Sequence, residues 1–496
     1  MAVIEHGIGK NEIVSQLAKS THGKLAEYVP VGKQAVAQEP EFYAHLIAWN
    51  LRKGQVRDSK VALPVINLST GKIDPEFLDN ALAHIAMLNP REFLRAASFA
   101  MEIGIPGYNR SIDRLAERYM RARENDRKWW DRDSVQHFES IKTIYSRFRI
   151  NAAPWAREII FYERYPKGTI HDLIREMKNM SATEAAGVIL EKKVPFLIAR
   201  GALGAKAKDP DLVLALIGRM SATELVTNSK MLEKLGIKTV PALRAAYEQA
   251  LQRAASSTKN TLKTAQAVES VADEGLKEKL SSLQEKQIAK VSSINGNWLI
   301  LADKSGSMSQ SIEVARHLAG TLAKMVQGKV WLIFFDTSAR YFEVTGKSYE
   351  QIAKESVHVS AGGSTSIGCG MQYALDAQLE IDGIAIVSDG GANQPPWFAE
   401  VYSRYAKKFD RNPPVYFYKT VGDSDRLTVE MKTAGHDLQV FDIARDVDYY
   451  SIPNIAQTMR VSRYSLIDEI FATPLVTLEW VLGRKEARVK REALVR

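Results

Sequence analysis

Small oxygen-bearing side chains follow an apolar run in the stretch LADKSGSMSQ, residues 301–310. Asp303, Ser305 and Ser307 recur at every second position. None of them stands beside a base that could make it a nucleophile. Carboxylate and hydroxyl oxygens are hard ligands that suit Mg²⁺, and Gly306 permits a sharp bend of the backbone between the serines. The spacing therefore predicts a site for Mg²⁺ or another divalent cation.

Two further segments supply oxygen ligands of the same kind. Asp303 ends the apolar run WLILAD, and Asp389 ends the run IAIVSD. The Gly-rich turn SAGGSTSIG carries Thr365 between two serines. Because ligands of open α/β sheets gather at the carboxyl ends of strands, we expect one metal site with the ligands Asp303, Ser305, Ser307, Thr365 and Asp389. A second interpretation is that Ser305 and Ser307 only cap the helix that begins near Gln310.

The elements that must position these residues are strands and helices in alternation. The segments NWLILAD, KVWLIFFD, GIAIVSD and PVYFYKT are short apolar runs, as expected of strands buried on both faces. A helical pattern, QSIEVARHLAGTLAKMVQ, separates the first two runs. Residues 295–465 are therefore predicted to form an α/β domain with a mainly parallel central sheet.

The preceding residues have a helical pattern. Prolines interrupt residues 1–265 at intervals that suit medium helices, and the pentapeptide MSATE occurs at Met180 and again at Met220. A spacing of about 40 residues is typical of HEAT-like helical repeats. In each copy a serine precedes a glutamate by three positions, which is a capping-box pattern. Residues 266–294 are predicted to be a helical connector, and residues 466–496 a helical basic tail.

A basic segment with interleaved aromatic residues lies inside the helical region. Residues 141–167 carry six Lys and Arg residues against Glu158 and Glu163, and Tyr145, Phe148, Trp155, Tyr162 and Tyr165 are interleaved with them. Cations can neutralise phosphates, and aromatic rings can stack on unpaired bases. The alternative is a basic helix face whose aromatic residues belong to the core. A stripe of arginines from Arg110 to Arg121 is nearly balanced by acidic residues and is interpreted as a solvated face.

Composition excludes several classes of protein. The chain has 496 residues, a formal net charge of +9 and one cysteine, Cys369, so it has neither an intrachain disulfide nor a cysteine-based zinc site. No apolar run reaches the roughly 18 residues of a membrane span, and the N-terminus lacks a signal-peptide core. We therefore expect a cytoplasmic protein without a membrane partner. The sequence lacks the first glycine that a phosphate-binding loop would need, and it has no H-E-x-x-H motif of a metalloprotease. We therefore expect that the protein is not an enzyme.

Residues 295–465 resemble the von Willebrand factor A domain and its metal-ion-dependent adhesion site. Asp303, Ser305 and Ser307 match the D-x-S-x-S element of that site, Thr365 matches its second loop, and Asp389 matches its third. The resemblance implies a protein ligand bound through the metal, whose identity the sequence does not give.

The helical region resembles the TROVE module of the Ro autoantigen family. The resemblance rests on EPEFYAHLIAWNLRKGQVRDSKVALPVIN, residues 39–67, on MSATELVTNSKMLEKLGIKTVPALRAAYEQAL, and on the order of repeats, connector and A domain. It implies a ring of HEAT-like helix pairs closed by the A domain. It also implies a non-enzymatic protein that binds Y-like small noncoding RNA and the single-stranded ends of misfolded RNA, with an exoribonuclease as a further partner.

The segment GTIHDLIREMK resembles the family helix whose polar residues face RNA, which points to His171, Arg175 and Lys178. The family often has a histidine where this chain has Lys178, and a lone histidine such as His171 is also common in a structural role. Together with the basic segment, the resemblance gives the RNA-binding candidates Lys142, Arg147, Arg149, Arg157, Arg164, Lys167, His171, Arg175 and Lys178.

A function of another class is also open. The chain could be a protein-interaction adaptor, with an A domain that serves a partner such as an ATPase and a helical region that binds protein. The basic residues in 141–178 discriminate between the two functions, because only an RNA-binding protein would require them.

Overall fold

A computed structural model describes residues 9–17, 24–54, 57–69, 73–105, 108–254, 264, 267–268, 270–291, 294–306, 308–420, 422, 424–436, 438–442, 459 and 463–483. The described helices before the sheet are α1 (Lys10–Leu17), α2 (Val29–Gln38), α3 (Pro40–Lys53), α4 (Arg57–Asn67), α5 (Pro75–Met87), α6 (Pro90–Glu102), α7 (Tyr108–Glu124), α8 (Arg127–Gln136), α9 (Phe138–Arg147), α10 (Pro154–Ile160), α11 (Ile170–Glu176), α12 (Ala182–Glu191), α13 (Phe196–Leu203), α14 (Pro210–Arg219), α15 (Ala222–Thr227), α16 (Ser229–Leu232), α17 (Pro241–Ala254) and α18 (Glu274–Val291).

Strands and helices alternate after α18. The strands are β1 (Trp298–Asp303), β2 (Val330–Phe335), β3 (Ala339–Glu343), β4 (Gly383–Ser388), β5 (Val415–Lys419) and β6 (Leu438–Asp442). The helices are α19 (Ser309–Met325), α20 (Tyr349–Glu355), α21 (Ile367–Asp376), α22 (Phe398–Phe409), α23 (Arg426–Thr433), α24 (Arg463–Phe471) and α25 (Leu478–Gly483).

The helices before the sheet begin at prolines and polar caps. Proline occupies the first turn of α2, α3, α5, α6, α10 and α14, where its missing N–H removes no hydrogen bond from the helix. Asn89 accepts a hydrogen bond of 3.0 Å from the Glu92 amide at the start of α6. These signals explain why short helices follow one another at close intervals here.

Both MSATE copies form capping boxes, as the sequence predicted. Ser181 caps α12 and Ser221 caps α15, and in each case the glutamate three residues later accepts a hydrogen bond from the backbone N–H of the cap. Glu224 also accepts hydrogen bonds from the Phe196 amide at 3.3 Å and from the Arg219 guanidinium at 2.7 Å. These bonds connect the second MSATE copy to the preceding helices, because Phe196 begins α13.

In the described part of the chain the sheet has six strands, in the order β3-β2-β1-β4-β5-β6. All neighbouring pairs are parallel except β2 and β3. One core packs β1, β2, β4 and β5 against α19, and a second core packs the opposite face against α21 and α22. Both faces of the central strands are buried, which confirms the prediction of an α/β domain with a mainly parallel sheet.

The chain divides into two compact units that do not follow the linear boundaries predicted from sequence. An α/β unit comprises residues 1–21 and 285–472, and a helical unit comprises residues 22–284 and 473–496. Helix α1 packs against β6, so the N-terminus joins the α/β unit. Helix α25 packs against α5, and the Leu478 amide donates a hydrogen bond of 2.9 Å to Oδ2 of Asp79 in the helical unit.

The connector predicted at 266–294 contains α18, whose Leu276, Leu280 and Leu283 are buried in the core of the helical unit. Part of the predicted tail, residues 484–496, lies outside the described residues. Within the part of the chain that the structure describes, no helix is long and apolar enough to cross a membrane.

Candidate functional site

A buried carboxylate ends the central strand of the sheet. Asp303 is fully buried. Its Oδ1 accepts a hydrogen bond of 2.9 Å from the Ser305 amide, and its Oδ2 accepts one of 2.7 Å from the Ser388 hydroxyl. Burial raises the pKa of Asp303, and the nearby charge of Asp389 adds to this rise. An ionised carboxylate in this place would be stabilised by a cation, because burial disfavours its charge.

Asp389 directly follows β4 and is held there by contacts with the backbone. Its Oδ1 accepts a hydrogen bond of 2.8 Å from the Gly391 amide. The backbone of residue 422 passes so close that a Cβ atom at Gly422 would lie 2.6 Å from the Cβ of Asp389. Such a contact is too short for any side chain, so the glycine is required for this approach of the two loops.

Thr365 lies on a loop that is bonded to both aspartate loops. Its amide donates a hydrogen bond of 2.9 Å to Oδ1 of Asn393, and its carbonyl accepts one of 3.0 Å from the Asn393 amide. On the other side, the Gly362 amide donates a hydrogen bond of 2.8 Å to the Lys304 carbonyl. Thr365 itself is buried. The three segments that carry candidate ligands therefore meet at the carboxyl edge of β1 and β4.

Ser305 is the candidate serine whose contacts the structure describes. Ser305 is buried, and its amide donates a hydrogen bond of 2.9 Å to Oδ1 of Asp303. Ser307 lies outside the described residues. Helix α19 has Met308 as its N-cap residue, without a side-chain cap bond. Ser305 is therefore engaged with the carboxylate and does not cap the helix.

The donor set fits a hard divalent cation. Asp303, Asp389, Ser305 and Thr365 offer carboxylate and hydroxyl oxygens, which Mg²⁺ prefers together with water. Among the described residues, no three His, Cys, Asp or Glu side chains form a group that could hold a metal. A cation at this edge would therefore depend on hydroxyl and water ligands as well as on the two aspartates.

Three residues around this site were not assigned a role from sequence. Ser388 binds Asp303 through its hydroxyl, and Lys304 forms a buried ion pair with Asp336. Ser388 could have been found, because β1 and β4 pair in parallel with Ala302 opposite Val387, which sets the next residues side by side. No local pattern connects Asp336 with Lys304 in the sequence.

The basic candidates lie in the helical unit, and most are exposed. Arg149, Arg157, Arg164, Lys167, Arg175 and Lys178 are exposed, whereas Lys142 and Arg147 are partly buried. Several of them have partners. Arg164 lies 3.5 Å from Glu158, Arg175 lies 3.1 Å from Asp172, and Arg147 donates a hydrogen bond of 2.8 Å to Ser98. Surface pairs of this kind are weak, so they leave the cations available to a phosphate.

The aromatic residues of the segment divide into core and surface. Tyr145 is buried, and Trp155 packs edge-on against Trp130 with a centroid separation of 5.0 Å. Tyr162 is 55% exposed and lies beside the Arg164 guanidinium at 5.5 Å. Tyr165 stacks on His171 at 5.6 Å. Among these rings, Tyr162 is the most accessible to a base.

His171 is buried, unlike the neighbouring basic candidates. Its Nε2 lies 3.2 Å from the Ser134 hydroxyl. Burial lowers the pKa of His171 to about 4, and the charge of Arg127 contributes to the same shift. The imidazole is therefore neutral at pH 7 and supports the fold beneath Arg175 instead of offering a positive charge. In the arginine stripe, Arg118 pairs with the exposed Glu479, whereas Arg121 pairs with Glu124, whose side chain is buried.

Comparison with known proteins gives one informative result. No protein-family profile and no curated protein matches the sequence. The crystal structure of the Deinococcus radiodurans Ro (RSR) protein is similar over 90% of this chain and 99% of its own, with a TM-score of 0.61 and a sequence identity of 12%. Similarity at this identity establishes the fold, and the chain has the fold of a Ro protein.

Proposed function

We propose that the chain is a non-enzymatic RNA-binding protein of the Ro class. The observation that carries the proposal is the fold shared with a Ro protein over 90% of the chain. Its RNA ligands would be Y-like small noncoding RNAs and misfolded RNAs with single-stranded ends. It would act as a scaffold or quality-control factor, with an exoribonuclease as a further partner.

The exposed cations of residues 141–178 support this function. They are carried on short helices and loops from Arg149 to Lys178, and two of them pair with acidic neighbours, Arg164 with Glu158 and Arg175 with Asp172. Lys and Arg side chains of this kind contact phosphates and give affinity without reading sequence. Tyr162 adds an exposed ring on which an unpaired base can stack. A surface with these properties accepts RNAs of varied sequence.

The second part of the proposal is a metal-dependent protein-binding site in the α/β unit. Asp303, Ser305, Ser307, Thr365 and Asp389 would hold Mg²⁺ or another divalent cation. The bound cation would supply a positive charge that accepts an oxygen ligand from a partner. The burial of Asp303 and the hydrogen bonds between Thr365 and Asn393 support this part of the proposal, because they hold two of the proposed ligands in place. The partner would be a protein with an exposed carboxylate.

Affinity for RNA tests the main proposal. We expect a variant with Arg164→Ala, Arg175→Ala and Lys178→Ala to lose affinity for a structured RNA with a single-stranded 3′ end. The matched control is Lys230→Ala, Lys234→Ala and Lys238→Ala, which removes three exposed cations from the same unit and gives the same net charge. Filter binding measures both, and circular dichroism checks folding.

Comparison of the parent protein with the two variants distinguishes three outcomes. A loss confined to the first variant supports an RNA site in residues 141–178. Equal losses in both would indicate attraction by net charge alone. Absence of RNA binding by the parent protein would favour the adaptor function.

A further inference from the structure

We propose that Lys304 and Asp336 form a positioning pair, which holds the Thr365 loop against the loop that carries Asp303 and Ser305. The inference rests on the proposed metal site and assigns a role to two residues outside its ligand set. Lys304 would raise the affinity for the cation although it is itself a cation. This effect on the affinity is opposite to the one expected from the charge of Lys304, so the direction of the change tests the proposal.

Lys304 is fixed at three points. Its amide donates a hydrogen bond of 2.8 Å to the Phe335 carbonyl at the end of β2. Its carbonyl accepts a hydrogen bond of 2.8 Å from Gly362 in the Thr365 loop. Its side chain is 7% exposed, and the ammonium is paired with the Asp336 carboxylate. The residue between two candidate ligands thus bonds both neighbouring loops, and its charge is held by Asp336.

Asp336 connects the pair to the loop that carries Thr365. Its carboxylate accepts hydrogen bonds from the amide and the hydroxyl of Ser338, at 2.8 and 2.9 Å. Its carbonyl accepts a hydrogen bond of 2.8 Å from the amide of Ser366, the residue directly after Thr365. The Cys369 thiol donates to the same carbonyl at 3.7 Å. The position of Asp336 therefore sets the position of the backbone beside Thr365.

Two effects of Lys304 on metal binding can be separated because they have opposite signs. As a nearby positive charge, Lys304 disfavours a second cation, and its removal would tighten Mg²⁺ binding. As a positioning residue, it keeps the ligand loops together, and its removal would weaken binding. Loss of groups that orient metal ligands typically lowers metal affinity by about 10- to 100-fold. The direction of the change therefore identifies the role.

The test is calorimetric titration of the full-length chain with Mg²⁺. We expect Lys304→Met to weaken binding by about 10-fold or more, and Lys304→Arg to restore part of the affinity because a guanidinium can also pair with Asp336. Lys347→Met is the matched control, since it removes an ion-paired lysine of the same unit, 2.7 Å from Glu355, that bonds none of the ligand loops. Asp303→Ala marks the complete loss of the site.

Asp336 is partly buried, and a carboxylate that loses its ion-pair partner can destabilise the fold. The double variant Lys304→Met with Asp336→Asn removes both charges and keeps the side-chain shapes, so it provides a folded protein without the ion pair. We expect it to bind Mg²⁺ as weakly as Lys304→Met. Unchanged or tighter binding by either variant would overturn the positioning role while leaving the metal site standing. A parent protein that binds no Mg²⁺ would overturn the metal site, and the inference with it.

Discussion

The hydroxyl of Ser388 donates a hydrogen bond of 2.7 Å to Oδ2 of Asp303, so the last residue of β4 holds the carboxylate that ends β1. The same hydroxyl accepts a hydrogen bond of 3.1 Å from the Gly390 amide. Ser388 therefore connects the first aspartate of the site to the loop of the second, Asp389. A side chain that orients a ligand in this way affects metal binding without touching the metal.

The first prediction concerns Ser388→Ala. The change leaves one oxygen of a buried carboxylate without its donor and frees the carboxylate to turn. We expect Mg²⁺ affinity to fall by about 10- to 100-fold, measured by calorimetry. Ser403→Ala is a suitable control, because the hydroxyl that it removes lies on α22 and bonds no residue of the candidate metal site. Equal affinities of the parent and Ser388→Ala would show that Asp303 is held without this bond.

The second prediction concerns Asp303→Asn, which should change stability and metal binding in opposite directions. Burial raises the pKa of Asp303, so ionisation in the metal-free protein opposes folding, and this cost grows as the pH rises through the range between the unfolded and folded values. The amide cannot ionise. We expect the variant to be at least as stable as the parent at pH 7 without metal, and to gain nothing from added Mg²⁺. Thermal unfolding with and without Mg²⁺ measures both effects, and a variant that Mg²⁺ still stabilises would remove Asp303 from the ligand set.

The central sheet could be predicted because its strands are apolar throughout. Residues Trp298–Asp303 and Val330–Phe335 are buried along their whole length, which produces continuous apolar runs. The edge strand Ala339–Glu343 has only intermediate and exposed positions, and it was not predicted. Edge strands lack a neighbour on one side, and their sequences therefore carry a weaker signal.

The candidate metal ligands could be named from sequence because Asp303, Ser305, Ser307 and Asp389 lie at or just after the ends of apolar strands, and Thr365 lies in a Gly-rich turn. Lys304 and Asp336 could not be connected in the same way, since 32 residues separate them and only the pairing of β1 with β2 brings them together. The packing of the two terminal helices was not predicted for a similar reason. Helix α1 packs against β6 and α25 against α5, and such pairings between distant segments leave no periodic pattern in the chain.

The third prediction concerns His171 and pH. Burial lowers its folded pKa to about 4, whereas an unfolded histidine has a pKa of about 6.5. The unfolded chain therefore binds the proton first as the pH falls. The contribution of neutral His171 is fully present above pH 6.5 and is lost towards pH 4, with a size on the order of 3 kcal/mol.

Two measurements check this behaviour. An NMR titration should show His171 neutral at pH 6 in the folded protein, with His171→Gln used to assign the signal. Unfolding at several pH values should show a smaller acid sensitivity for His171→Gln than for the parent. His84 carries a similar shift and stays in both proteins, so the difference between them isolates His171. A folded pKa near the ordinary value would place the imidazole in contact with water.

The fourth prediction concerns the second MSATE copy. Ser221 accepts a hydrogen bond from the Glu224 amide, and its own amide donates one of 3.0 Å to that side chain. We expect Ser221→Ala to cost about 1 kcal/mol of stability in the helical unit, as lost caps usually do. Chemical unfolding followed by circular dichroism measures it. Ser181→Ala should cost less, because Glu184 lacks the bonds to Phe196 and Arg219 that make Glu224 a link to the preceding helices. Equal costs would mean that this link contributes little.

The last prediction concerns the salt dependence of RNA binding. If Arg164, Arg175 and Lys178 contact phosphates, each contact with single-stranded RNA releases counterions and contributes a slope near −0.7 to the log–log dependence of affinity on salt. The triple alanine variant should therefore lose affinity and reduce the slope by about two. Stability should change by only about 0.5 kcal/mol, because the three side chains are exposed. Lys230→Ala, Lys234→Ala and Lys238→Ala should leave the slope near that of the parent. Filter binding at several salt concentrations distinguishes the cases, since a loss of affinity with an unchanged slope would mean that the three residues act through the fold and not on phosphate.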